Sequence, residues 1–412
     1  MADTPDRSAP ARSDRPLTIL IGCDTFPPNV NGAANFASRL AAGLAQRGHD
    51  VHVQAPAFSR KHGTFTEVHE GAALTVHRLY SWRWYPHDWL RFAMPWRSEA
   101  NAARILDTVK PDVVHIQSHI VVGRGLARQA TARGIRLIGT NHFMPENMIE
   151  HTLIPKRFQR SAIAAAWRDA SRTFRLCEAV TTPTRRAAEF LEKETGIPGV
   201  RAISCGIDAS VYTPSFEPRT GNRIVFVGRV TGEKQIDVLM RAVAQLPSDL
   251  DAQLDIVGGG DQLKELQSLA DSLRIRDRVH FTGYVTDEEL RSTLTKAAVF
   301  AMPSIAELQS IATMEAMASA LPVVAADAMA LPHLVHDGEN GYLFEPGNVA
   351  DLASKLEKVL RMPQHDVARL KQASLKLIEG HDIERTLNTF ESLYRGEVVA
   401  DPVTEVSFGE SA

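Results

Sequence analysis

Two carboxylates, Glu307 and Glu315, stand eight positions apart in the stretch AAVFAMPSIAELQSIATMEAMASALPVVAAD, residues 297–327. On one continuous helix that spacing sets them about 80° apart around the axis and ~12 Å along it, too far to hold the two ends of one small ligand. The stretch reads differently: a buried strand from Ala298 to Met302, a loop from Pro303 to Gln309, a helix from Ser310 to Ser319, and a second strand from Pro322 to Ala326. With Glu307 on the loop and Glu315 inside the helix, both can face a ligand lying over the helix N-terminus. There the N–H groups around Ser310, Ile311 and Ala312 and the positive dipole end favour an anion. A carboxylate ahead of the anion and another behind it suit hydroxyl-bearing groups flanking a diphosphate, as in a sugar nucleotide. Two glutamates at this interval also describe an ordinary solvated helix face. The apolar strands on either side and the small apolar helix face (Ile311, Ala312, Met314, Ala316, Met317) argue instead for a βαβ setting, where ligands gather at strand C-termini.

Two cations precede this pair. RIVFVGRV reads as a strand ending in Gly228-Arg229, followed by TGEKQ and a helix from Ile236. Gly228 frees the turn, and Arg229 and Lys234 flank a helix start, a pairing that suits a diphosphate as well as a solvated loop. Gly258-Gly259-Gly260 closes the next strand but lacks the Gly-x-Gly-x-x-Gly spacing. Tyr284 and Val285 follow a short strand, Val279 to Thr282, where a base can stack or be read by backbone. Asp249 and Asp251 form an Asp-x-Asp, the kind of pair that can hold a divalent metal. They sit ahead of a strand rather than after it, which makes them a surface turn.

The N-terminal half supplies the remaining candidates. Pro16 to Cys23 is an apolar run of strand length, Asn35 to Arg47 has helical periodicity, and His49 to Pro56 alternates as a strand. Between them lies the loop with Pro27, Pro28, Asn31 and Gly32, where Gly32 lets backbone approach a ligand. His119 follows the strand Pro111 to Gln117, and His142 follows the strand Ile135 to Thr140, the strand ends where an α/β site gathers catalytic histidines. His115, inside its apolar run, reads as structural. Residues 157–175 form a basic helix, Ala179 to Pro183 a strand, Thr184 to Gly196 a helix, and Val200 to Ser204 a last strand. Residues 340–344 read as an edge strand, and 350–362, 365–380 and 382–395 as helices.

Residues 78–97, RLYSWRWYPHDWLRFAMPWR, hold four of the five tryptophans (Trp82, Trp84, Trp89, Trp96) among Arg78, Arg83, Arg91 and Arg97. Such a mixture suits an anionic membrane surface, with rings at headgroup depth and guanidinium groups on phosphate. It also suits a helix and loop that pack aromatics into a core.

Composition bounds the rest. With 412 residues, 44% hydrophobic and 23% charged, the chain is an ordinary globular protein of roughly two to three domains. A net charge of −3 excludes general nucleic-acid binding. The three cysteines, Cys23, Cys177 and Cys205, have neither disulfide nor metal spacing, which fits a reducing cytoplasm and a packing role. Residues 1–15 lack an apolar core and read as a disordered tail, not a signal peptide. No run is apolar enough to span a bilayer, so any membrane contact is expected to be peripheral, on the inner face.

In this order, PPNVNGAA, GHDVHV, PDVVHIQSH, FVGRVTGEKQIDVL, DIVGGGDQL, VHFTGYV and PSIAELQSIATMEAMASALPVVAAD resemble glycosyltransferase family 4, from Pro16 to about Arg395. The last motif matches the family's Glu-x7-Glu signature. HIQSH and NHFMPEN look most like actinobacterial enzymes that glycosylate diacylglycerol or phosphatidylinositol mannosides. The resemblance implies an α/β GT-B fold: two facing Rossmann-like domains, an acceptor-side one over 16–205 and a donor-binding one over 222–380. They would be joined by a linker over 206–221, with a helix over 381–396 crossing back to the first and a loose tail over 397–412.

It further implies that Arg229 and Lys234 neutralise the diphosphate, Glu307 contacts the donor sugar, Glu315 binds the ribose and Gly32 approaches the phosphates. His119 or His142 would line the acceptor side. No metal or cofactor is implied, because the nucleotide sugar is itself a substrate. Glu307-Leu308-Gln309-Ser310 departs from the family's Glu-Ser/Gly-Phe-Gly, and Ala328-Met329 from its usual glycine pair, so the sugar pocket is altered.

The expected reaction is retaining transfer of a mannose- or glucose-type hexose from a GDP- or UDP-sugar to an acceptor hydroxyl, on a membrane lipid or on a small soluble glycoside. A sugar-nucleotide epimerase would share the architecture but would consume donor without acceptor. A non-catalytic sugar-nucleotide sensor would not need the retained Glu and Arg/Lys set.

Overall fold

The computed structural model describes residues 15–29, 31–83, 91–149, 152 and 154–399. Expectations for the two tails before Arg15 and after Val399, and for Trp84 and Trp89, lie outside the described residues. The chain divides into two compact units. Among the described residues, one comprises those from Arg15 to Asn141 with Asp169–Val180 and Thr389–Val399; the other comprises His142–Arg168 and Thr181–Asn388.

The first unit runs β1 (Thr18–Gly22), α1 (Gly32–Gln46), β2 (Asp50–Pro56), β3 (Gly63–His69), β4 (Ala72–Leu79), β5 (Ser81–Arg83), β6 (Arg91–Ala93), α2 (Pro95–Val109), β7 (Val113–Ile116), α3 (Val122–Ala132) and β8 (Arg136–Thr140). Strands β8, β7, β1, β2 and β4 lie side by side in parallel, with β3 antiparallel on the edge. Ile19, Leu20 and Ile21 are wholly buried, as expected of a strand covered on both faces.

Gly32 is not in the loop where its residue type placed it. Asn31 caps α1, its side chain accepting the Ala34 N–H at 2.9 Å, and the helix begins at Gly32 itself. Strands β3 and β4 had no counterpart in the sequence reading. Much of β3 is exposed, including Phe65 and Val68, so no clean apolar stripe marks it.

The aromatic stretch splits. Arg78 leaves the surface: it is buried, donates from Nε and Nη2 to the two Glu67 carboxylate oxygens at 2.8 and 2.6 Å, and from Nη2 to the Pro27 carbonyl at 2.6 Å. Arg91 turns to Ser81 Oγ at 3.1 Å. Trp82, Arg83, Trp96 and Arg97 remain exposed.

Helices α4 (Pro145–Ile149) and α5 (Lys156–Phe174), strand β9 (Ala179–Thr182), helix α6 (Arg185–Thr195) and strand β10 (Arg201–Ala202) follow. Thr184 caps α6 and Gly196 ends it in the left-handed conformation, the start and stop signals the sequence carries. Strand β10 covers only part of Val200–Ser204, because Ser204 and Cys205 turn to bond Gln309.

The core of the second unit is β11 (Arg223–Val227), α7 (Ile236–Gln245), β12 (Gln253–Val257), α8 (Leu263–Ser272), β13 (Val279–Gly283), α9 (Asp287–Lys296), β14 (Val299–Met302), α10 (Ile311–Ala318), β15 (Val323–Ala326), β16 (Gly341–Phe344), α11 (Val349–Arg361) and α12 (Gln364–Ile378). Its six strands are all parallel, in the order β13-β12-β11-β14-β15-β16. The order reverses between β11 and β14, so the loops after these two strands flank the crevice where an open α/β sheet binds ligands.

In the last helix, α13 (Ile383–Arg395), the residues up to Asn388 belong to the second unit and those from Thr389 to the first. Its final turns are fixed there by buried polar contacts as well as by packing. Phe390 lies against Phe36 and His115. The Tyr394 hydroxyl shares a 2.6 Å hydrogen bond with His115 Nδ1, and Glu391 meets His49 Nε2 at 2.7 Å. His115 Nε2 meets Thr140 Oγ1 at 2.7 Å, so this histidine is structural, as its place inside β7 suggested.

Candidate active site

The loops after β11, β12, β13 and β14 meet at the C-terminal edge of the second sheet. After β11, residues Gly232–Lys234 make a single 3-10 turn before α7. Within it the Lys234 ammonium forms an ion pair with Glu307 Oε1, both side chains largely buried. The sequence places these two groups on separate motifs; the fold brings them into direct contact. Arg229 Nη2 lies 3.3 Å from Glu233 Oε1, which also accepts from Thr231 Oγ1 at 2.7 Å. The Glu233 carbonyl accepts from the Ile305 N–H at 3.1 Å and from Ser304 Oγ at 3.3 Å, tying the β11 loop to the β14 loop. Glu233 was absent from the sequence-based candidates; its only signal there was its place beside Lys234.

Glu307 lies on the β14–α10 loop and Glu315 inside α10, as the pattern required. Ser310 caps α10, its Oγ accepting the Thr313 N–H at 3.3 Å. Ile311 and Ala312 are half-exposed on the first turn, whereas Thr313 to Ala318 are buried. Glu315 is itself buried, which is inconsistent with the solvated-face reading.

The three glycines after β12 are explained by close packing. Gly258 has φ +128°, and a side chain there would run into the Gly228 carbonyl oxygen. A Cβ on Gly259 would come within 2.9 Å of the Tyr284 ring, and one on Gly260 would strike the Val230 carbonyl. Gly228 and Gly258 are further tied by N–H bonds to the Val257 and Gly283 carbonyls at 3.0 and 2.9 Å. Tyr284 thus stands over glycine backbone as a 67% exposed residue, beside half-buried Val285, where its ring can meet a planar ligand group.

In the first unit, Asp24 at the end of β1 accepts the Val121 and Val122 N–H groups at 3.0 and 2.9 Å and the Ser118 hydroxyl, which shapes the loop bearing His119. His119 is buried with its ring edge-on to Phe174. Burial, with help from the Arg124 charge, lowers its pKa to about 4. His142 belongs to the second unit, and burial lowers its pKa to about 3. Burial thus favours the neutral ring of both at pH 7. No described group of His, Cys, Asp and Glu has a metal-binding arrangement. Asp249 pairs with Arg361 at 2.9 Å as a surface contact. Burial raises the pKa of Cys23 and of Cys177, so neither is a thiolate nucleophile.

Residues 30–211 match the model described as Glycosyltransferase Family 4, and residues 213–376 that described as Glycosyl transferases group 1. A GDP-mannose-dependent alpha-mannosyltransferase of Corynebacterium glutamicum is 28% identical, covering 80% of this chain and 77% of its own. A protein of the same description from Mycolicibacterium smegmatis is 30% identical, covering 80% and 84%. Among solved structures, sucrose-phosphate synthase from Thermosynechococcus elongatus superposes with a TM-score of 0.76 at 18% identity, covering 92% of this chain and 98% of that one. The switch-point loops, the Glu-x7-Glu pair and these matches agree: this chain belongs to glycosyltransferase family 4, as a nucleotide-sugar hexosyltransferase of the GT-B fold.

Proposed function

We propose that this enzyme transfers mannose from GDP-mannose to an acceptor hydroxyl with retention of the α configuration. The observation that carries the reading is the cluster of Arg229, Lys234 and Glu307 beside the N-terminus of α10. The names of the mannosyltransferase relatives favour the GDP-mannose donor over a UDP-hexose.

Lys234 and Glu307 neutralise each other. An arriving diphosphate competes for the ammonium, and the released carboxylate can accept hydrogen bonds from sugar hydroxyls. The anomeric C–O bond to the β-phosphate then breaks, with the leaving charge held by Arg229, Lys234 and the α10 N–H groups. The acceptor oxygen bonds to the same face of the anomeric carbon, and its proton passes to the departing phosphate oxygen. Glu315 holds the ribose, and Tyr284 and Val285 meet the base. The residues named require no metal or cofactor.

Mixing the protein with GDP-mannose or UDP-glucose and a lipid or soluble acceptor tests this reading. Thermal stabilisation by GDP-mannose is expected to exceed that by UDP-glucose, and the glycoside formed should be the α anomer by NMR. A β-linked product, or donor consumption by epimerisation without acceptor, rejects it.

We further propose a membrane lipid acceptor, with docking on an anionic membrane surface through the exposed residues Trp82, Arg83, Trp96 and Arg97 of the 78–97 stretch. Trp82 and Trp96, exposed at 66% and 79%, support it, together with exposed Arg83 and Arg97. Phe58, Arg60, Lys61 and Tyr80 are exposed on the neighbouring loops, and the Tyr80 ring lies 5.5 Å from that of His62. Among the described residues no helix is long and apolar enough to cross a membrane. In this reading the surface acts peripherally, at the cytoplasmic face. Trp82→Ala with Trp96→Ala is expected to reduce sedimentation with phosphatidylserine liposomes about tenfold and to leave transfer to a soluble acceptor unchanged. Equal sedimentation of both proteins at low and high salt would remove the docking surface and favour the soluble-acceptor alternative.

A further inference from the structure

We infer that Gln309 is a positioning residue, holding the loop of Glu307 in register for the donor sugar through a polar cluster of Ser204, Cys205 and His381. This rests on the reading that Glu307 contacts that sugar. Gln309 sits within the segment that departs from the family pattern, two residues after Glu307, and its side chain is buried. Its Oε1 accepts the Cys205 N–H at 2.7 Å and its Nε2 donates to Ser204 Oγ at 3.0 Å. Ser204 Oγ also lies 2.9 Å from His381 Nδ1, which is 3.4 Å from Gln309 Nε2. Burial first, then the charges of Arg385 and His333, lower the His381 pKa to about 4, so a neutral ring faces the amide.

The cluster is fastened on both sides. Thr386 Oγ1 donates to the Ser204 carbonyl at 3.0 Å, and Ile207 and His381–Ile383 exchange backbone hydrogen bonds at 2.8 and 3.1 Å. Gly206, at φ +69°, allows this approach: a Cβ there would lie 2.7 Å from Thr386 Oγ1 and 2.9 Å from the Ile383 Cα. The Glu307 loop has other backbone anchors. The Leu308 carbonyl accepts from Thr184 Oγ1 at 3.1 Å, and the Glu307 carbonyl accepts the Ala330 N–H at 3.1 Å. Gln309 differs from these in being a side chain that serves as donor and acceptor at once. An apolar residue there would remove the side-chain acceptor of the Cys205 N–H and one donor to Ser204 Oγ, and so loosen the loop at the residue where α10 is about to begin.

The test uses the full-length enzyme with GDP and GDP-mannose as probes. Gln309→Met keeps the length and removes both hydrogen bonds. It is expected to leave the Kd for GDP within about threefold, to narrow the difference between GDP-mannose and GDP binding, and to lower kcat about 10- to 100-fold. Ser204→Ala should lower kcat less. The double variant should be no worse than Gln309→Met alone, because both changes break one linkage. If Gln309→Met does not fold, Ser204→Ala decides: a several-fold fall in kcat at an unchanged Tm supports the inference. Wild-type kcat, in Gln309→Met where it folds or otherwise in Ser204→Ala, overturns it. A parallel Glu307→Gln assay separates the two failures. If Glu307→Gln transfers normally, the sugar-contact reading is wrong. If it does not transfer while Gln309→Met does, only the role of Gln309 is wrong.

Discussion

The enzyme with both Arg229→Ala and Lys234→Ala is expected to transfer sugar at least about a thousandfold more slowly than the native chain. Loss of a single preorganised donor to a developing oxyanion costs about 10²–10³ in kcat, and a nucleoside diphosphate leaving group gathers more charge than a carbonyl oxyanion. Both cations stand on the loop after β11, at the strand-order reversal, and each contacts a carboxylate: Arg229 meets Glu233, and Lys234 meets Glu307. Those acids fix the positions of both cations on the loop. Arg229→Lys should recover only part of the activity, since an ammonium cannot reproduce the guanidinium fork. Initial rates at saturating GDP-mannose, with unfolded protein removed, measure the effect. A purified double variant working at near-native rate would remove both residues from the mechanism.

The parts legible in the sequence were those set by local chemistry. Continuous apolar runs marked β1, β7, β11, β14 and β15, because strands buried on both faces need no alternation. Thr184 and Gly196 announced both ends of α6, and the loop-then-helix reading of 303–319 put Glu307 and Glu315 on different elements. Strands β3 and β4 were not legible: β3 is an exposed edge without an apolar stripe, and β4 is identified as a strand by its neighbours.

Contacts between distant residues also could not be read. Arg78 looked like one of several surface arginines until Glu67 and Pro27 closed around it. Lys234 and Glu307 are 73 positions apart, so only the parallel pairing of β11 with β14 reveals that they neutralise each other. Gln309 was visible as a departure from a motif, but Ser204 and Cys205, which it bonds, stand more than a hundred positions earlier in the chain.

Glu307→Gln should separate binding from transfer more cleanly than any other single change. The substitution keeps the shape of the side chain and removes the charge that neutralises Lys234, whose side chain is only 14% exposed. Breaking a buried pair leaves its partner charge uncompensated, so the ligand-free variant should lose up to about 3 kcal/mol of stability. GDP supplies the missing negative charge. The rise in Tm on adding saturating GDP should therefore be larger in the variant than in the native enzyme, and the Kd for GDP should be equal or lower, because no carboxylate competes for the ammonium. Transfer from GDP-mannose should nevertheless fall about 10²–10³-fold, since an amide no longer offers a charged acceptor to the sugar hydroxyls as positive charge builds at the anomeric carbon. Opposite movements of GDP affinity and turnover are the signature of a carboxylate that guards the phosphate site when empty and serves the sugar when full. Parallel losses of both would instead make Glu307 a support for the loop, and native turnover would take it out of the sugar site.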